Sequence, residues 1–185
     1  MEHKEIVHLT QEYGGDWAIC HAGRILHWVE ILAEDKPYDK EAVWVAAHLH
    51  DWGGYPAWIQ EGVEHYDRSR EVAEAFLRER NCPDPFRDKV LEIIQCHHGG
   101  PAERSFESCL FTDADALDLL GVVGTLRIFC MVPRNLKGAI MAVQRFREMS
   151  LKAITFEKSK EIAQKRVEET DYLLKKFDEE TFGIY

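Results

Sequence analysis

The chain has 185 residues, 45% hydrophobic and 11% aromatic, which is enough for one domain with its own core and excludes a disordered chain. Its formal net charge of -10 argues against a protein that binds nucleic-acid polymers through their phosphates. Five cysteines without a C-x-x-C pair, no apolar signal segment at the N-terminus and no membrane-length apolar run predict a cytoplasmic protein.

Helical patterns follow one another along the chain, whereas convincing strand patterns are absent. Asp16 is a favourable N-cap for a helix to residue 33, and Asp39 precedes a second helix that ends at Gly53-Gly54. Further helices are predicted over residues 67–80, 86–98 and 105–120. An apolar helix that ends at Met131 follows, and two more helices lie between 135 and 180. We therefore expect an all-α fold, a single domain over residues 1–185 whose motif-bearing core covers about 16–130.

The segment AAHLHDWGGY, residues 46–55, places titratable side chains at the end of an apolar helix. His48 and His50 are two positions apart, so they should point to nearly opposite sides of the helix. Asp51 follows at the helix end, where a carboxylate is unfavourable against the helix macrodipole. A compensating positive charge is therefore expected near Asp51.

A second apolar helix, CLFTDADALDLL, carries Asp113, Asp115 and Asp118. Asp115 and Asp118 lie within about 60° of each other around the helix axis, and Asp113 faces away. The simplest interpretation is that Asp113 caps its own helix locally and Asp118 faces water. Asp115 has no Lys or Arg three or four residues away, so we expect it to be paired with a metal or a cation from elsewhere in the chain.

Histidines on other apolar helices extend this set of polar side chains. His21 lies mid-helix, and His97 closes a helix just before Gly99-Gly100-Pro101. Taken singly, each is more typical of a hydrogen-bonded histidine than of a ligand. Taken together with His50, Asp51 and Asp115, they form a nitrogen and oxygen set suited to a divalent transition metal, assembled from facing helices.

Three motifs in order resemble the H…HD…D pattern of the HD-domain superfamily of metal-dependent phosphohydrolases. They are CHAGRIL with His21, HLHD with His50-Asp51, and TDADALDLLG with Asp115. The first is similar to small stand-alone HD proteins, in which an Arg follows the His by three residues. The resemblance covers about residues 16–130 and implies an HD-type helical bundle with a metal bound by these four residues.

Family members with two metals have additional histidines between the HD motif and the last Asp. Here His65, His97 and His98 occupy that interval, with His97 preferred over His98, so the resemblance implies one or two divalent ions of Mn, Fe, Co, Ni, Zn or Mg. The chain departs from the family where WGGY follows the HD motif. Cyclic-dinucleotide phosphodiesterases of the family have a Glu one turn before the first His. Here Trp17 occupies that position, which argues against a cyclic-dinucleotide phosphodiesterase.

The resemblance implies hydrolysis of a phosphate ester of a small metabolite or nucleotide, because a bound cation acidifies water and polarises phosphoryl oxygens. Asp51 could bridge two ions or orient the water. Asp118 is a candidate for a general base or for a residue that hydrogen-bonds a metal ligand. Arg24, one turn beyond His21, and Arg127, inside an apolar helix, are candidates for binding the phosphate. A structural arginine is an equally simple interpretation of Arg24.

Two other functions fit the same residues. Some HD-fold proteins with extra histidines are di-iron oxygenases that cleave C–C or C–P bonds, and a non-catalytic regulatory module could keep the metal for stability. Trp52, Tyr55 and Trp58 are candidates for a pocket wall, whereas a core role is the simpler interpretation of Trp17, Trp28, Trp44 and Phe129. The predicted partners are a small phosphorylated substrate and a second copy of the chain packed through the final helix, but neither a nucleic-acid polymer nor a membrane.

Overall fold

A computed structural model describes residues 2–101 and 103–185, and over these residues the chain forms α-helices and no strand. The all-α prediction is therefore confirmed. The short 3₁₀ segment Trp52–Gly54 lies between the second and third helices. The helices, in chain order, are α1 (His3–Ala33), α2 (Lys40–Leu49), α3 (His65–Glu79), α4 (Asp84–Cys96), α5 (Phe106–Asp118), α6 (Gly121–Met131), α7 (Leu136–Ala153) and α8 (Glu157–Thr181).

Helix α1 begins at His3, so the helical stretch before Asp16 was not predicted, whereas the predicted start at Asp16 coincides with a kink inside α1. Gly15, with φ 64° and ψ -164°, interrupts the helical geometry at that point. A Cβ atom on Gly14 would lie only 2.6 Å from the Tyr55 ring, so this glycine allows the two segments to approach closely. Two adjacent glycines have low helix propensity, which favours a kink at this point of α1.

The described chain divides into two compact units, one ending at Thr112 and one beginning at Asp113. In the first unit, α1 packs on α2, α2 packs on α4 and α3 packs on α4. Helix α2 lies in the interior because apolar residues surround most of its circumference. Residues with no exposed surface in this core include Ile25, Val29, Val43, Val45, Leu49, Leu77, Val90, Ile93 and Ile94.

In the second unit, α6, α7 and α8 pack against one another. Their buried apolar residues are Ile128 on α6, Ala139 and Val143 on α7, and Ala163 and Val167 on α8. None of the helices in the described part of the chain has an apolar stretch long enough to cross a bilayer.

Asp113 caps the start of α8. Its Oδ1 accepts hydrogen bonds from the backbone N–H of Thr155 at 2.8 Å and from the Thr155 hydroxyl at 3.0 Å. Its Oδ2 accepts from the backbone N–H of Phe156, the N-cap residue of α8, at 2.9 Å. The expectation of a local cap is therefore wrong, because this carboxylate caps a helix far along the chain.

Replacing Asp113 with alanine is expected to lower the free energy of unfolding by about 2–3 kcal/mol, since it removes a cap and leaves N–H donors unsatisfied. The matched control is Asp171→Ala, which removes an exposed ion pair with Arg147 and should cost less than about 1 kcal/mol. Chemical denaturation of the two variants measures the difference. Equal losses of unfolding free energy in the two variants would contradict the capping role of Asp113.

Candidate metal centre

Two groups of side chains in the first unit bring their ligand atoms together. Within each group, one nitrogen or carboxylate oxygen from every residue lies within 4.8 Å of the others. Two ligands that share a zinc ion at about 2.0–2.2 Å lie up to about 4 Å apart, so ligand atoms this close need to move little to bind one ion. The first group is His21, His50 and Asp51, and the second is His65, His97 and His98.

The carboxylate of Asp51 lies between the two groups. Its Oδ2 is 3.4 Å from Nε2 of His50 and 3.8 Å from Nε2 of His21. Its Oδ1 is 3.9 Å from Nε2 of His65. One carboxylate therefore presents a different oxygen to each group, which is the arrangement that a bridging ligand requires.

Backbone carbonyls orient two of the imidazoles. Nδ1 of His50 donates to the Ala47 carbonyl oxygen at 3.1 Å, and Nδ1 of His97 donates to the Ile94 carbonyl oxygen at 2.6 Å. Because a carbonyl oxygen can only accept, Nδ1 carries the proton in both rings. In the neutral ring the lone pair then lies on Nε2. This tautomer can bind a metal through Nε2.

The second group concentrates ring nitrogens at very short range. Nε2 of His65 lies 3.2 Å from Nε2 of His97 and 2.9 Å from Nε2 of His98. Neighbouring lone pairs repel unless a proton or a cation lies between them, and His97 already carries its proton on Nδ1. The donor set therefore fits a bound cation, and the residues present are those that a divalent transition metal prefers.

The indole of Trp52 anchors the chain immediately after Asp51. Its Nε1 donates to the Thr10 hydroxyl at 3.1 Å, and that hydroxyl donates to the backbone carbonyl of His48 at 3.2 Å. Trp52 and Thr10 are both buried. This relay fixes the end of α2 to α1 and so fixes the position of the Asp51 backbone. Nothing in the sequence pattern identified Thr10.

A close approach between Gly53 and α3 fixes the same segment from the other side. The Gly53 N–H donates to the Ser69 hydroxyl at 2.8 Å. A Cβ atom on Gly53 would lie 2.3 Å from the Ser69 backbone nitrogen and 2.5 Å from the His65 carbonyl oxygen. Only glycine fits there, so Gly53 and Ser69 hold Asp51 near His65. Ser69 has no signal in the sequence, because only the fold brings it to the HD segment.

His48 lies outside both groups, as its helical position relative to His50 predicts. Its ring packs against Trp44 at 4.1 Å between centroids, and its Nδ1 donates to the Trp44 carbonyl at 2.8 Å. Burial lowers the pKa of the His48 imidazole, although this hydrogen bond partly opposes the shift. The side chain therefore serves the packing of α2.

A model of the HD domain matches residues 18–120, more than half of the chain. This chain belongs to the HD-domain family. HD domains bind divalent metals, and both candidate groups lie within the matched range. No curated protein matches the sequence.

Solved structures share the HD fold with this chain. A predicted HD superfamily hydrolase from an uncultured Thermotogales bacterium is 22% identical, with a TM-score of 0.66 over 96% of this chain and 92% of that one. Bacillus subtilis YpgQ in complex with ADP is 21% identical, with a TM-score of 0.67 over the full length of both chains. An HD-superfamily hydrolase from Bacillus thuringiensis is 20% identical, with a TM-score of 0.65 over 98% of this chain and 97% of that one.

The structure brings together three of the four residues predicted for the HD pattern, namely His21, His50 and Asp51. The fourth, Asp115, is buried in the last turn of α5, in the second unit, and its ligation remains a prediction. Arg24 is half-buried on α1, one turn after His21, and its contact with phosphate is likewise a prediction.

Asp118 and Arg127 form a buried ion pair within the second unit. The expectation that Asp118 faces water is wrong, because it has no exposed surface and Arg127 donates a hydrogen bond to its Oδ2. Arg127 is nine residues from Asp118 and on the next helix, so helical spacing does not indicate this pairing. The roles of Asp118 as a base and of Arg127 as a phosphate ligand remain predictions, and each would have to compete with this pairing.

Proposed function

We propose that this HD protein is a metal-dependent phosphohydrolase that cleaves a phosphate ester of a small metabolite or nucleotide. The observation that carries the proposal is the position of Asp51, whose two carboxylate oxygens face separate groups of histidine nitrogens. This arrangement supports two neighbouring divalent ions. Two-metal sites of this kind serve displacement reactions at phosphorus, because they can stabilise both the attacking and the leaving oxygen.

The side chains around Asp51 would each contribute a defined part. Divalent cations bound here would acidify water and neutralise charge on the phosphoryl group. Asp51 would hold both ions, while His50 and His97 are kept in the metal-binding tautomer by their backbone carbonyl partners. Arg24 would bind phosphate oxygens, since a guanidinium offers two parallel donors.

The substrate class follows from charge and from similarity. A net charge of -10 favours a small phosphorylated substrate over a nucleic-acid polymer. YpgQ, which shares the fold, was solved with ADP, and this supports a phosphorylated small molecule as ligand. The HD pattern adds Asp115 to the proposed ligands. A cytoplasmic location and a homodimer remain predictions.

The proposal is tested on protein stripped of metal and then reconstituted separately with Mn, Co, Ni, Zn or Mg. We expect at least one metal to restore phosphate release from p-nitrophenyl phosphate or from nucleoside phosphates. The metal-free protein should be inactive. Retained metal with no turnover across a broad panel of phosphate esters would overturn the proposal and favour a regulatory module.

The second group also supports a different chemistry, the di-iron oxygenase. Three histidines beside a bridging carboxylate form a nitrogen-rich site that suits iron as well as zinc or manganese. Elemental analysis of protein purified without chelators separates the two functions. Two Fe per chain together with O₂ consumption would favour the oxygenase over the hydrolase.

Replacing His65 with alanine is expected to reduce the metal content from two ions per chain to one. Its Nε2 lies within 3.2 Å of both other nitrogens of the second group, whereas the first group remains complete. The control is His8→Ala, whose side chain is 76% exposed and should not affect metal content. Two ions retained by the His65 variant in elemental analysis would contradict the assignment of the second group.

A further inference from the structure

An exposed tryptophan lies beside the buried ligand His21. Trp17 precedes His21 by four residues on α1, so the two share a helix face with Cβ atoms about 6 Å apart. Helical side chains lean toward the N-terminus, and the His21 imidazole therefore extends over the turn that contains Trp17. Trp17 is 39% exposed, whereas His21 is 3% exposed. The indole therefore keeps an accessible surface one helical turn from the candidate ligand His21.

A second group of aromatic side chains begins at the residue after Asp51. Trp52, the next residue, stacks on Trp58 with ring centroids 4.7 Å apart and an angle of 11° between the planes. Trp58 in turn contacts Tyr13 at 4.5 Å. Tyr13 is 38% exposed, so this chain of rings connects the HD segment to the protein surface.

Arg24 and Trp17 flank His21 along α1. Arg24 follows the ligand by three residues and Trp17 precedes it by four, so both lie on the same stripe of the helix. A cation on one side of a metal ligand suits a phosphate, and an exposed indole on the other side suits an uncharged planar group. The order along the helix therefore matches a phosphate ester whose organic part is a ring.

We propose that Trp17 contacts the ring of the substrate and is the specificity-determining residue of the site. The site then favours phosphate esters of aryl or nucleobase-bearing groups over those of alkyl groups. This inference rests on the proposed function, because it assigns the second half of the same substrate. The indole stacks on a planar ring and has no comparable contact with an alkyl group.

Two non-hydrolysable probes separate the ring from the phosphate, since phenylphosphonate and methylphosphonate carry the same anionic group. Isothermal titration calorimetry on the metal-reconstituted full chain gives both dissociation constants. We expect the wild type to bind phenylphosphonate about tenfold more tightly than methylphosphonate. Trp17→Ala should abolish this preference and leave methylphosphonate binding unchanged, whereas Trp17→Phe should retain most of it.

The control is Tyr172→Ala, which removes a 66% exposed aromatic side chain from α8 and should keep the full preference. Equal affinity of the wild type for both probes would overturn the inference and leave the proposed function standing. The inference is also overturned, with the proposed function left standing, if Trp17→Ala keeps the preference or weakens the binding of both probes equally. If neither phosphonate binds the metal-loaded wild type, the proposed function fails and the inference fails with it.

Discussion

Asp51→Asn is expected to weaken divalent-metal binding at least about 100-fold and to abolish metal-dependent phosphate release. Loss of a group that only orients a ligand typically costs 10–100-fold in metal affinity, and Asp51 is placed to contact the ions directly. Its two oxygens face His50 and His65, so one substitution affects both groups at once. An amide keeps the shape of the side chain but supplies neither the negative charge nor a second oxygen. Isothermal titration with Zn²⁺ and a phosphate-release assay give the two readouts.

The control for Asp51→Asn is Asp16→Asn, which removes an exposed carboxylate of α1 that accepts a hydrogen bond from Gln11. It should leave the zinc affinity and the activity at wild-type values. Thermal denaturation without metal should show that the Asp51 variant is folded, because Asp51 is part-exposed. Wild-type zinc affinity in the Asp51 variant would contradict its position as the shared ligand.

Gly53→Ala is expected to destabilise the protein by about 1–3 kcal/mol, the usual range for overpacking in a dense region. The added Cβ atom would lie 2.3 Å from the backbone nitrogen of Ser69, and a backbone atom cannot move aside as a flexible side chain can. The 3₁₀ segment would therefore move away from α3 and separate Asp51 from His65. We expect zinc affinity to fall about 10–100-fold, as for other groups that position a ligand.

The neighbouring glycine provides a matched control. A Cβ atom on Gly54 would lie 3.7 Å from the Cβ of His65, an ordinary van der Waals contact. Gly54→Ala should therefore change the free energy of unfolding by less than about 0.5 kcal/mol and leave zinc binding unchanged. Denaturant titration and zinc calorimetry on both variants make the comparison. Equal effects of the two alanines would show that the close approach to Ser69 does not position the site.

Helical periodicity predicted much of the candidate site. The two-residue spacing of His48 and His50 places them on opposite sides of α2, and the structure has one beside Trp44 and the other in the metal centre. Asp39 caps α2 as predicted, with its side chain accepting from the Ala42 N–H. These relations lie within one helix, where sequence spacing determines direction.

Relations between distant segments could not be predicted in the same way. Asp113 caps a helix 42 residues away, and the Trp52 indole bonds to Thr10 at the same separation along the chain. Neither Thr10 nor Ser69 has a sequence signal, because a hydroxyl that positions a loop is indistinguishable from a surface hydroxyl until the chain is folded. The place of His65 and His98 came from the family resemblance, and periodicity alone did not identify them.

Anomalous diffraction from zinc-loaded crystals of the wild-type chain tests whether Asp51 is shared between two metal ions. We expect two zinc peaks with the Asp51 carboxylate between them, each about 2.0–2.2 Å from its oxygen and nitrogen ligands. One peak should contact His21 and His50, and the other should contact His65 and at least one histidine of the pair His97 and His98. Zinc bound only at other places on the protein, with no peak in contact with Asp51, would contradict the account.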